Sequence, residues 1–75
     1  MEIDKIIQEK GFELSDIMGN CRKSEFVAMR VYLARLLYKE GLHEKKIAKR
    51  LNKDRTTIIY YLRHWKETEF FKQLL

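Results

Sequence analysis

Arg55, Thr56, Tyr60 and Arg63 suit one chemistry by type and spacing: hydrogen bonding to a polyanion. Two guanidiniums supply forked donors that match phosphate oxygens or the O6 and N7 atoms of guanine, while a hydroxyl and a phenol supply single bonds. On a helical wheel of about 100° per residue with Arg55 at zero, Arg55, Thr56, Ile59, Tyr60 and Arg63 fall between roughly 0° and 140°. Ile58, Tyr61, Leu62 and Trp65 fall between roughly 240° and 340°. One face is donor-rich and the other is bulky and apolar. A single helix of this kind can be seated in a core while it meets a ligand.

The elements that must position this face are legible around it. Residues 43–66 read as a short helix, a tight turn and a second helix. The first runs from about His43 to Leu51, with Ile47, Ala48 and Leu51 as its narrow apolar stripe. Asn52 and Lys53 form the turn. Asp54 stands at the N-cap position of the second helix, where its side chain can accept from the backbone N–H of Thr56 or Thr57. A helix–turn–helix presents its second helix to a DNA major groove, N-terminal residues foremost.

Charge sharpens this reading. Residues 43–66 hold eight Lys or Arg (Lys45, Lys46, Lys49, Arg50, Lys53, Arg55, Arg63 and Lys66) against Glu44 and Asp54, a net +6. The whole chain carries +5, so everything outside the motif sums to −1. The basic excess belongs to one motif and points to double-stranded DNA as the partner.

Other chemistries find less support. A zinc site needs closely paired ligands, and Cys21, His43 and His64 are scattered, so no metal is expected. No Gly-rich phosphate loop and no nucleophile–base–orienter set is visible, so neither a cofactor nor an enzyme is expected. Ser15, Ser24 and the two histidines read as caps and surface residues. Cys21 is the only cysteine, which excludes an internal disulfide and suits a reducing, cytoplasmic setting. Its neighbours Arg22 and Lys23 could activate the thiol, but a small residue before a helix is the simpler reading. Glu2 and Asp4 occupy what would be the basic region of a signal peptide. No segment approaches the roughly 18–20 apolar residues that span a bilayer, so no membrane partner is expected.

The 75 residues, with no Pro and three Gly, predict one all-α domain. Residues 2–10 form a first helix on the stripe Ile3, Ile6, Ile7 and the stem of Lys10, stopped by Gly11. Phe12 and Leu14 enter the core as a linker. Ser15 caps a short helix, Asp16 to Met18, which Gly19 and Asn20 end. A basic loop, Cys21 to Lys23, precedes a long third helix capped by Ser24 and closed by Gly41. Phe26, Val27, Val31, Leu33, Ala34, Leu37 and Tyr38 line that helix, widened by Met29 and Leu36. So broad an apolar surface makes it the central helix, on which the helix–turn–helix packs. In the tail, Phe70, Phe71, Leu74 and Leu75 are expected to fold onto the same domain, giving a monomer. A homodimer through Phe70, Phe71 and Leu74 is the alternative.

Residues 22–30, RKSEFVAMR, resemble the segment that enters the DNA-binding domain of the bacterial replication initiator DnaA, where a basic loop leads into a helix. Residues 54–58, DRTTI, resemble that family's signature Asp-His-Thr-Thr-Val at the start of its recognition helix. Residues 3–18 resemble the family's preceding helix and short acidic turn, so the similarity spans roughly residues 3–66. It implies a Trp-repressor-like helical fold that reads double-stranded DNA. It further implies that Arg22 reaches into the minor groove, that Asp54, Arg55, Thr56 and Thr57 contact bases or phosphates in the major groove, and that Arg30 lies near the DNA backbone. Lys23, Lys45, Lys46, Lys49, Lys53, Ile59, Tyr60 and Arg63 complete the expected DNA-facing set.

The departures carry information of their own. Arg55 replaces the family's histidine, and Asn52 and Lys53 replace its Gly-Gly-Arg turn. Arginine bidentate to guanine is the commonest specific base contact, so a different base preference is expected. No ATPase domain accompanies the motif in these residues, and the opening Met1 fits a natural start. The expectation is a stand-alone, nucleoid-associated module used in replication initiation or its control, of the kind a phage or mobile element carries, or else a fragment of a longer chain. A small helix–turn–helix transcriptional regulator is the first alternative. A protein-interaction adaptor with a basic face is the second.

Overall fold

Gly41, at φ +99°, ends the longest helix and turns the chain back across it. That reversal builds the fold around one central rod. The computed structural model describes residues 2–75; Met1, read above as the natural start, lies outside them. Six helices form among the described residues: α1 (Ile3–Glu9), α2 (Leu14–Met18), α3 (Ser24–Lys39), α4 (Glu44–Leu51), α5 (Arg55–Arg63) and α6 (Glu69–Leu74). The architecture is all-α, with α4, α5 and α6 each packed on α3 and α4 packed on α5. No helix among the described residues is long and apolar enough to cross a membrane.

The core is a continuous cluster drawn from all six helices. Ile7, Ile17, Leu33, Leu37, Ile47, Leu51 and Ile58 are fully buried, each contributing roughly 1.5–3 kcal/mol relative to exposure. Ala28 and Ala34 on α3 are buried too, and such small side chains let neighbouring helices approach closely. The tail folds inward only in part: Phe71 and Leu74 are buried, with Phe71 edge-on against Trp65 at 5.3 Å and Tyr32 at 6.4 Å, while Phe70 and Leu75, expected on the core as well, stay exposed. The ammonium of Lys10, the residue that ends α1, donates to the Leu74 carbonyl at 2.9 Å, tying the two ends of the chain together.

Several helix ends differ from the sequence reading. Ser24 is the first residue of α3 rather than its cap, because the Lys23 carbonyl already accepts the first helical bond, from the Val27 N–H at 2.9 Å. Ser15 likewise lies inside α2, whose first bonds run to the Glu13 carbonyl. Leu14 opens α2 and is exposed, and Tyr38 stands half-exposed at the solvent edge of α3. The second motif helix stops at Arg63, so Trp65 lies beyond it. Arg35 from α3 explains that stop. Its guanidinium donates to the Tyr61 carbonyl at 3.2 Å and the Trp65 carbonyl at 3.4 Å, accepting the chain as it leaves the helix.

Candidate nucleic-acid interface

The turn between α4 and α5 takes its shape from one left-handed residue. Asn52 adopts φ +55° and ψ +46°, a conformation that asparagine tolerates better than most side chains. Its backbone ends α4, and the Lys53 N–H then donates back to the Ala48 carbonyl at 2.9 Å. Upstream, His43 caps α4 by accepting from the Lys45 N–H at 3.3 Å. Asp54 occupies the N-cap of α5 in extended backbone, as expected, but its carboxylate makes no cap hydrogen bond.

The two faces of α5 separate as the wheel predicts. Ile58 and Tyr61 are buried, and Leu62 packs against the core. Arg55, Thr56, Tyr60 and Arg63 are exposed, with Ile59 and Thr57 half-buried between the two sides. Arg55 is not solitary: its guanidinium lies 3.5 Å from the carboxylate of Glu44 on the first turn of α4.

Arg22, exposed on the loop before α3, meets this helix across a concavity of about 920 Å³. Asp54, Thr57 and Tyr60 from the α5 side line it together with Arg22, and so do Lys49 and Lys53. The loop and the second motif helix therefore share one face, and the chain's own tail lies elsewhere, on α3. Lys45 and Lys46 are exposed one turn before Lys49 on α4. Lys23 is exposed beside the loop, its ammonium 5.7 Å from the centre of the Phe26 ring.

Arg30 corrects the sequence reading. It lines the same concavity but is only 2% exposed, its guanidinium turned to backbone carbonyls rather than held out to a partner. Its guanidinium lies beneath the basic loop and donates to the carbonyls of Ile17 at 2.8 Å, Cys21 at 2.6 Å, Asp16 at 2.9 Å and Gly19 at 3.1 Å. The planar fork of arginine reaches four acceptors at once, as a lysine could not. Lys53 also departs from a simple surface role: it is half-buried and its ammonium donates to the Gly19 carbonyl. Burial, and then the positive charge of Arg30, hold the Lys53 ammonium below the ordinary lysine value.

Asn20 and Asn52 line the same concavity and were not singled out from sequence as site residues. The only hint was that both tolerate turn conformations. Arg35 and Glu44, which hold the two ends of α5, were likewise missed. Cys21 is exposed, and among the described residues no three side chains of the metal-binding types gather. Comparison with protein-family models, with curated proteins and with solved structures finds no match for this chain.

Proposed function

We propose that this chain is a sequence-specific double-stranded DNA-binding module. In this reading α5 enters the major groove with Arg55, Thr56 and Thr57 leading, and Arg22 follows the adjacent minor groove. One observation carries it: Arg22 lies across a single basic concavity from Thr57 and Tyr60 of α5, and Arg55 and Thr56, which do not line it, are exposed on the same helix. A loop arginine can enter a narrow, electronegative minor groove while the neighbouring helix reads base edges. Lys49 lines the concavity, and Lys45 and Lys46, exposed one turn earlier on α4, join it as phosphate partners. The resemblance of residues 22–30 and 54–58 to the DnaA DNA-binding domain supports a role in replication initiation or its control.

Titration against duplex DNA at rising salt tests the reading. Affinity should fall steeply and linearly on logarithmic axes, because binding releases condensed counterions and rising salt opposes that release. Affinity indifferent to salt would end it. Selection of bound sequences from a random duplex pool then tests specificity, and a motif related to DnaA boxes would support the replication role. Phe70 and Leu75 favour a second reading, a dimeric helix–turn–helix regulator, because they remain 44% and 79% exposed on the last turns of the chain. Sedimentation at working concentration and a palindromic selected site would support that reading over the first.

A further inference from the structure

We propose that Asn52 and Lys53 are positioning residues that hold the loop bearing Arg22 in register with α5. The Asn52 amide donates to the Met18 carbonyl at 3.2 Å, and the Lys53 ammonium donates to the Gly19 carbonyl. Both bonds cross from the motif turn to the end of α2, a separation of 34 residues in the chain. Arg30 grips the same segment from α3, through the carbonyls of Ile17 and Gly19 among others. The carbonyl end of α2 and the start of the basic loop are therefore held from two sides. Arg30 alone would fix the loop to α3. Asn52 and Lys53 fix it to the turn from which α5 departs.

This coupling has a direct consequence for recognition, and it rests on the DNA-binding reading above. A loop arginine that must be ordered on binding loses affinity to conformational entropy. One already registered against the recognition helix meets both grooves as a single rigid surface. Lys53 then acts through Arg22 rather than as an independent phosphate ligand.

The two roles separate in a double-mutant cycle with a DNA-free control. A nitroxide on Cys21, the only cysteine and an exposed one, reports loop mobility in the free protein. Lys53→Met keeps the aliphatic stem and removes the donor. Asn52→Gly removes the amide while keeping a residue suited to positive φ, so it serves if Lys53→Met fails to fold. Both should mobilise the label, and Lys53→Arg should restore it. On a duplex selected from a random pool, Lys53→Met should weaken binding roughly tenfold when Arg22 is present and less than about twofold in an Arg22→Ala background. An unchanged label, or equal weakening with and without Arg22, overturns the proposal. A label that responds while no duplex binds any variant overturns the DNA-binding reading and leaves the loop register established.

Discussion

The carboxylate of Glu44, on the first turn of α4, stands 3.5 Å from the guanidinium of Arg55, at the start of α5. The acid is largely covered while the arginine is about half exposed. Glu44 thus holds the leading arginine of the proposed reading helix without enclosing it. Replacing Glu44 with Gln should loosen that hold. Binding to an unselected duplex should strengthen, because an acid leaves a basic surface, and the preference for a selected duplex should narrow. Competition titrations read both changes. Thermal stability should move by less than about 1 kcal/mol, since the arginine of the pair is half exposed and screened by water.

Arg55 and Lys49 should fail in different ways. Arg55→Ala should cost about 1–3 kcal/mol on a selected duplex and relax specificity at one base position. Lys49→Ala should weaken all duplexes alike and lower the salt slope by about one. Anisotropy titrations on selected and scrambled duplexes at several salt concentrations distinguish the two.

Arg30 should behave as a structural residue. Arg30→Met would leave the carbonyls of Asp16, Ile17 and Cys21 without their arginine donor, and that of Gly19 with Lys53 alone, so folding stability should fall by at least about 2 kcal/mol. Arg30→Lys should recover only part of this, because an ammonium lacks the planar fork. Urea denaturation followed by circular dichroism measures the loss.

Tyr61 sets an alkaline limit. Burial raises its phenol above the ordinary tyrosine value, against an opposing pull from Arg30. A raised native value means that the folded state keeps a proton the unfolded state gives up. The contribution to stability is therefore complete below about pH 10, the unfolded tyrosine value, and is lost as pH climbs through the native value. Denaturation midpoints should fall through that window in the parent chain and fall less in Tyr61→Phe.

The tail should divide by burial. Phe71→Ala should cost about 3–5 kcal/mol, because the ring fills the space between Trp65 and Tyr32. Phe70→Ala should stay within about 0.5 kcal/mol in the monomer. A concentration-dependent stability loss in Phe70→Ala would reveal a dimer contact instead.

Helix content, the central place of α3 and the two faces of α5 were all legible in the chain itself, because apolar spacing along a helix decides which side can be buried. Turns were legible where backbone conformation demanded a residue type, as at Gly11, Gly41 and Asn52. Helix starts were less so, since Ser15 and Ser24 suit a cap chemically while the carbonyls of Glu13 and Lys23 took the first bonds. Arg30 shows the deeper limit. It lies four residues from both Phe26 and Ala34, a position that suits burial, yet the resemblance placed it near the DNA backbone. Only the tertiary structure decided between them. A cation can be buried if acceptors converge on it, and those acceptors come from residues 16–21, whose local pattern gives a short helix and a loop but not where they sit against α3. The same holds for Glu44 with Arg55 and for Lys53 with Gly19: each pair joins elements whose separation in space is set by packing on α3, and spacing along the chain carries no record of it.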